Sequence, residues 1–444
     1  MVERDLSESP VRELVRRFLI TILLGVVVYR FGVFVPIPGV DALELKRIVR
    51  GSGEGDPIGD ILRYANMFNG GAIANASVFG LGIMPYISAS IIMQLLTFSF
   101  PTLKALQKEG EGGRRKIQQY TRYATLLICL VQATMASVAL YNFKDDQNHV
   151  LVSGYNLMPF VLQSALVITT GSMVLLWLAE QITKFGIGNG VSLIIMIGII
   201  ASTPSSFHGL DGDLGTYLLI AAISLSIIAA IVVVVRATRN IQLEQQRRIQ
   251  GNKVYGGATT VLPLKLNQAN VVPVIFASPV MVVLGYAAAS PWLQFAGLDA
   301  FFGSGTAGYR YIFAGLIIAF TYFYISITFD LNEMSNHFKT HGFFVRGIKP
   351  GRKTVEYLQH HLTRITFVGA IFLAVIAILP QMLDSAIGLT GGGGAMLMGG
   401  TGLLIVVGVA LDIMQKIASF FLAHQYRGLG GEGGDAGGAK AKRF

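Results

Sequence analysis

Residues 66–96 read NMFNGGAIANASVFGLGIMPYISASIIMQLL, and how this stretch sits in a membrane decides the fold. Asn66–Ser77 is short and rich in Gly, Ala and Asn, too polar to face lipid, whereas Val78–Leu96 runs apolar with Gly80, Gly82 and Pro85 near its start. In hydrocarbon every backbone polar group needs a partner, so a broken crossing is tolerated only against protein or a water-filled cavity. Gly- and Pro-interrupted hydrophobic segments are the best sequence pointer to a membrane protein's working site. The stretch therefore predicts a polar half-helix of about residues 60–77 leading into an apolar span.

The rest of the chain agrees with a membrane setting. Its 444 residues have a mean hydropathy of +0.58 and only 14% charged residues, which excludes an ordinary soluble globule. A helix crossing the hydrocarbon core takes about 20 mostly apolar residues. Besides the broken segment, nine others qualify: Phe18–Val35, Arg122–Tyr141, Leu157–Leu178, Val191–Thr203, Thr216–Val235, Val271–Ser290, Tyr311–Phe329, Ile365–Leu383 and Thr401–Leu422. The expectation is an all-α polytopic membrane protein with ten transmembrane helices. The strands of a transmembrane β-barrel would alternate every second residue over about 10 residues, a pattern these segments lack. Met1–Arg17 carries charges of both signs and reads as a cytoplasmic amphipathic segment rather than a cleavable signal peptide. Cys129, the one cysteine, lies in an apolar helix, so no disulfide framework is available.

Basic residues orient the chain. Of its 35 Lys and Arg, 27 fall on the side that holds both termini and the 2–3, 4–5, 6–7 and 8–9 loops, against 6 on the other. That asymmetry puts both termini in the cytoplasm of a multi-pass protein of the cytoplasmic (inner) membrane. An N-terminal half over 18–203 and a C-terminal half over 216–422 flank an external linker, 204–215, and each half holds five spans. An odd number of spans makes the second half inverted relative to the first. The cytosolic loops 236–270 and 330–364 are longer than connecting adjacent helices requires. They read as a docking platform for a large partner with acidic or RNA surfaces. The Gly-rich tail, 423–444, reads as disordered.

Chemistry is scarce. His360 and His361 are adjacent and so do not share a helix face, and no second ligand cluster accompanies them. Gly186-Ile187-Gly188-Asn189-Gly190 lacks the strand–helix setting and the following Lys of a phosphate loop, and reads instead as a tight turn. Ionisable residues inside spans are functional suspects; here they are Arg30, Asp412 and Lys416, the last two spaced to neutralise each other. No buried carboxylate chain of an ion-coupled transporter is visible, and no cofactor site. A pathway lined by apolar side chains blocks ions by dewetting and offers a passing chain nothing to stick to.

Several long motifs now occur in order: NMFNGG with GLGIMPYISASIIMQLL (Gly80–Leu96), KEGEGGRRKIQQYTRY (Lys108–Tyr123), EQITKFGIGNGVSLII (Glu180–Ile195), VYGGATTVLPLKLNQANVVPVIFAS (Val254–Ser278), GIKPG (Gly347–Gly351) and GGTGLLIVVGVALD (Gly399–Asp412). Together they resemble the bacterial SecY family, the channel subunit of the Sec protein translocase, over nearly the whole chain. The resemblance implies a protein-conducting channel, not an enzyme: two inverted five-helix halves around a central hourglass pore. Its waist would be a ring of Ile83, Ile87, Ile195, Ile275 and Ile405. Its plug would include Asn66, Met67, Phe68, Asn69, Gly70, Gly71, Ala72 and Ile73, within 60–77. A lateral gate between spans 2–3 and 7–8 would draw polar contacts from Gln132, Asn267 and Asn270.

The implied partners are SecE and SecG in the membrane, the SecA motor or a translating ribosome, signal peptides, unfolded preproteins and membrane lipid. Docking of the cytosolic partner would use Arg247, Arg248, Lys253 and Lys349. The chain departs from the family pattern at Lys349, where an Arg is usual, and at Arg236, Arg239–Gln242, Arg346 and Pro279. Lys lacks the planar donor fork of Arg, which bears on docking and not on the pore. An inverted-repeat transporter of small solutes would show intramembrane charges or a polar substrate site, and a scaffold without a pathway would leave the broken crossing unexplained.

Overall fold

The computed structural model describes residues 10–51, 66, 69–142, 156–207, 214–246, 248–250, 253–255, 259–288, 307–387 and 400–431. Met67, Phe68 and Arg247 lie outside them, as do residues 60–65 of the expected half-helix, 432–444 of the Gly-rich tail and the linker's polar centre; the first part of the tail, 423–431, is helical. Among the described residues, six helices are long and apolar enough to cross a membrane, or seven if a pair bent by 99° counts as one span. The chain divides into two compact units: 1–51 with 62–202 and 409–444, and 52–61 with 203–408.

The first unit opens with a helical rod of α1 (Pro10–Ile22), a π-helical turn (Leu23–Val28) and α2 (Tyr29–Val33). Then come α3 (Ala42–Gly51), α4 (Met84–Ser99), α5 (Pro101–Lys108), α6 (Glu111–Asn142), α7 (Leu157–Phe185) and α8 (Gly190–Phe207). Pro101 suits the first turn of α5, where its missing N–H is no loss. Its ring also disfavours helical backbone at Phe100, which is extended, and the chain turns by 99° between α4 and α5. On α6 the buried residues Thr121, Thr125, Cys129, Ala133 and Ser137 recur every fourth position. Small side chains let helices approach closely. Their hydroxyls bond back to their own helix, Thr125 to Thr121 O and Ser137 to Ala133 O, so no donor is stranded. The opposite face shows Leu127 and Met135, at 67% and 68% exposure, as a lipid-facing surface would.

One ion pair ties α6 to α7: Arg122 donates through Nε and Nη2 to the two carboxylate oxygens of Glu180, at 2.7 and 2.8 Å. A two-pronged guanidinium–carboxylate pair fixes orientation as well as distance. Arg122 is 43% exposed, so the coupling is worth about 1–2 kcal/mol, between an exposed and a buried pair. A double-mutant cycle of Arg122→Ala and Glu180→Ala, read by thermal unfolding in detergent, should return a coupling of that size. Strict additivity would deny the pair a structural role.

Between α7 and α8 the Gly186–Gly190 segment is indeed a tight turn, with Gly188 in the left-handed region at φ 91°. Thr183 Oγ1 accepts from Gly190 N at 2.8 Å and Thr21 Oγ1 of α1 accepts from Ile187 N at 3.1 Å. A side chain at Gly190 would strike the backbone of Ala179.

The second unit begins with α9 (Leu214–Arg236) and continues through β1 (Thr238–Gln245), β2 (Arg248–Gln250), β3 (Lys253–Tyr255) and β4 (Thr259–Lys265). Then follow α10 (Val272–Ala288), α11 (Ala307–Thr328), α12 (Leu331–Thr340), β5 (Phe343–Val345), α13 (Arg352–Ile387) and α14 (Gly400–Gly431), whose later part belongs to the first unit. The cytosolic loops expected from sequence are thus partly β-structure. β1 pairs antiparallel with β4 from Thr238↔Lys265 to Glu244↔Thr259, and with β5 at Leu243↔Val345. Ile241 and Leu243 point to one face and pack with Leu264, Val345, Leu358 and Ile365, the alternation a half-buried strand requires. Asp330 caps α12 by accepting from Glu333 N at 3.1 Å. The sheet and the long α13 make the two loops one folded body instead of free tethers.

Candidate functional site

From Asn69 to Ile83 the broken crossing is not a half-helix but a succession of turns. Its residues explain this. Asn side chains compete with the helix for backbone partners, and Gly70, Gly71 and Gly82 take positive φ. Asn66 closes the loop, accepting from Ala74 N through Oδ1 at 2.8 Å and from Gly71 N through its carbonyl at 2.9 Å. Asn69 Nδ2 donates to Gly80 O at 2.7 Å, and a side chain at Gly82 would collide with that amide. Segment and rod are joined by a short bridge: Ile37 N donates to Ala76 O at 2.7 Å and Val78 N to Val35 O at 3.0 Å. Ser77 Oγ donates to Gly32 O at 2.9 Å and accepts from Phe79 N at 3.1 Å. The polar backbone is therefore satisfied partly by the segment's own turns, as in Ala72 N to Asn69 O and Ser77 N to Ala72 O, and partly by side chains and the neighbouring chain.

Arg30 supplies the charged contact. Its Nη1 donates to Gly70 O at 2.8 Å, and its guanidinium lies 5.1 Å from the centre of the Phe34 ring. Arg30 lies in the last turn of α2, and a charged residue within a span is a functional suspect; its direct bond to the turn segment gives it a use. Tyr29 stacks on Phe79 at 6.2 Å, and Gly32 lies so close to that ring that a Cβ would overlap it. Tyr29, Arg30 and Gly32 of α2 therefore hold the segment at both of its ends. The sequence marks Arg30 as a suspect but not its partner, which lies 40 residues away.

The other predicted residues fall as follows. Asn69, Gly70 and Ala72 are buried; Asn66, Gly71 and Ile73 are half-buried. Ile83 caps α4 and is buried, and Ile87, one turn on, is half-buried. Ile195 on α8 is buried, as is Ile405 on α14, while Ile275 in the first turn of α10 is half-buried. Ile83, Ile87 and Ile195 belong to the first unit, Ile275 and Ile405 to the second.

Gln132 is half-buried on α6. In the second unit, Asn267 Nδ2 donates to Asn270 O at 3.1 Å. It braces the left-handed turn at Asn270, φ 51°, that opens α10, and its Oδ1 is buried without a partner among the described residues. Arg248 and Lys253 sit on the β2–β3 hairpin. Lys349 is exposed in the turn before α13, and its carbonyl accepts from Thr354 Oγ1 at 3.1 Å. No group of three His, Cys, Asp or Glu able to hold a metal occurs among the described residues.

Comparison with known proteins gives one answer throughout. The family model described as SecY matches residues 77–414. The protein translocase subunit SecY of Escherichia coli (strain K12) is 39% identical over 423 residues, 93% of each chain. That of Thermotoga maritima is 39% identical over 419 residues, 94% of this chain and 95% of its own. That of Mycobacterium bovis is 38% identical over 449 residues, covering 96% and 99%. A solved protein conducting channel superposes with a TM-score of 0.56 at 18% identity, over 92% of this chain and 93% of that one, a likeness of fold.

Proposed function

This chain belongs to the SecY family, and on that premise we propose how its residues divide the work of the channel. It is a multi-pass membrane protein and not an enzyme: a protein-conducting channel that translocates and inserts proteins. The ten spans form two inverted five-helix halves around an hourglass pore, in the cytoplasmic membrane with both termini inside; the basic asymmetry supports that orientation. Ile83, Ile87, Ile195, Ile275 and Ile405 form the waist, and the segment around Asn66–Ser77 is the plug. The observation that carries this reading is the turn segment Asn69–Ile83: a compact non-helical body tied to α2 by a few bonds is what a removable stopper needs.

A signal sequence intercalates at a lateral gate to which Gln132, Asn267 and Asn270 contribute. Ten Leu-like residues passing into lipid there gain roughly 3–6 kcal/mol, enough to tip an equilibrium separated by a few kcal/mol. SecE and SecG accompany the channel in the membrane. Driving energy comes from SecA or a translating ribosome docked on the 6–7 and 8–9 loops through Arg247, Arg248, Lys253 and Lys349. The sheet that stiffens those loops supports the docking role, since a rigid platform loses less entropy on binding.

Vesicles holding the chain with its membrane partners and an ATPase motor should take up an unfolded, signal-bearing preprotein. Charge reversal at Arg248 and Lys349 should abolish uptake and motor crosslinking together. Crosslinks from these positions that never reach motor or ribosome, with uptake intact, would overturn the docking assignment.

A further inference from the structure

We propose that His337 and His341 form a binding site for a divalent transition-metal ion of the imidazole-preferring class (Cu²⁺, Ni²⁺ or Zn²⁺) at the end of α12. The sequence His337-Phe338-Lys339-Thr340-His341 spaces the two rings by four residues, which puts them on successive turns of one helix face. Two histidines at that spacing are the helical pair that zinc sites use. Helical backbone lasts long enough for this: α12 runs to Thr340, and His341, its C-cap, donates its N–H to His337 O and Lys339 O. The rings stack, 4.1 Å between centroids and 20° from parallel. The helix that carries them is anchored along another face. Leu331, Met334 and Phe338 pack on the cluster of Ile241, Leu243, Leu264 and Val345, and Ser335 Oγ donates to Gly351 O at 3.1 Å. Glu333, His337 and His341 follow one another at intervals of four, and all three are exposed.

Hydrogen bonds set the protonation that a metal needs. His341 Nδ1 lies 2.9 Å from His337 O. A carbonyl only accepts, so Nδ1 carries the proton and the neutral ring keeps the Nε2 lone pair. Thr340 Oγ1 donates to the same carbonyl at 3.0 Å and stands 3.2 Å from the same Nδ1. An imidazole N–H held by a backbone carbonyl is the outer contact that orients a metal-binding histidine and raises its basicity. No hydrogen bond ties the His337 ring among the described residues. That ring can therefore turn about χ2, a broad torsion for histidine, to close on an ion held by His341. Glu333, one turn before His337, adds negative charge to the face by which a cation approaches. It completes no group of three ligands, so water fills the remaining positions, as in open zinc sites. Imidazole suits Cu, Ni and Zn, whereas hard cations seek carboxylate, carbonyl and water oxygens. The proposal takes nothing from the channel assignment.

The full-length chain in detergent, bearing no added histidine tag and titrated by calorimetry with copper(II), nickel(II), zinc or magnesium chloride, tests the site. Cu²⁺ should bind most tightly of the four, and Mg²⁺ should not bind. His337→Ala and His341→Ala should each weaken Cu²⁺ binding by at least the about 10–100-fold that loss of an outer-shell partner costs. Paramagnetic resonance of the Cu²⁺ complex should report two imidazole nitrogens in the unaltered chain and one in either variant. Without metal all three proteins should unfold at one temperature, which separates a lost ligand from a lost fold. His360→Ala, an exposed histidine on α13, should bind as the unaltered chain does. Undiminished Cu²⁺ affinity in His337→Ala or His341→Ala would overturn the proposal, as would an equal loss in His360→Ala. Mg²⁺ held as tightly as Cu²⁺ would also overturn it, making the site one of charge alone. None of these readouts depends on translocation, so failure here leaves the channel assignment standing.

Discussion

Vesicles containing the chain with Ile83, Ile87, Ile195, Ile275 and Ile405 all replaced by Ser should leak ions at rest, where the unaltered chain holds a gradient. A narrow apolar constriction excludes ions because water leaves it. Removing an isoleucine side chain from a dry contact forfeits about 1.5–3 kcal/mol of apolar burial, and every 1.4 kcal/mol is a factor of ten in an equilibrium. A single Ile→Ser change should therefore raise the wetted population by about tenfold or more, and the five together should saturate the effect. Ile83 and Ile405, both buried, should give the larger single effects and half-buried Ile87 and Ile275 the smaller. Flux of a dye too large for the waist should not change, which separates a wetted pore from a damaged bilayer. Unchanged conductance in the five-fold variant would remove these residues from the seal.

Arg30→Leu should loosen the segment proposed as the plug. The guanidinium bond to Gly70 O, 2.8 Å long, joins a charged donor to a carbonyl, a class worth about 1.5–3 kcal/mol. Losing it moves the closed–displaced balance by about ten- to a hundredfold, and leaves neutral hydrogen bonds, the Tyr29–Phe79 stack and the packing of Ala74 and Ala76 on Leu45 and Phe160. The variant should accept preproteins with weakened signal sequences, which supply too little insertion energy to displace an anchored plug. Arg30→Lys keeps the charge but not the fork and should fall between. Proteolysis of the segment in the resting channel offers a second readout, faster in Arg30→Leu. Equal discrimination against weak signals in all three proteins would assign Arg30 to packing alone.

Much of the architecture was legible in the chain because membrane physics leaves few choices. Apolar runs of span length carry a single reading, a multi-pass all-α membrane protein. The interruption's conformation was not legible. Asn66 reaches Ala74, eight residues on, and Ser77 reaches Gly32, 45 residues away; neither distance has a local signature, so a half-helix was the natural expectation and turns are what form. The sheet of β1, β4 and β5 left a trace that went unread. Ile241 and Leu243 alternate with Asn240, Gln242 and Glu244, a period of two inside loops otherwise judged by charge and length. The Arg122–Glu180 pair spans 58 residues, and Arg122 was counted only as one more loop cation.

The central claim, that polypeptide passes through the isoleucine waist, is tested most directly by stalling a preprotein midway and crosslinking from single photoreactive residues in the channel. Probes at Ile83, Ile87, Ile195, Ile275 and Ile405 should each capture the stalled chain, and probes at Leu127 and Met135 on the outer face of α6 should capture lipid alone. Capture of the translocating chain from α6, with none from the isoleucine positions, would contradict the account.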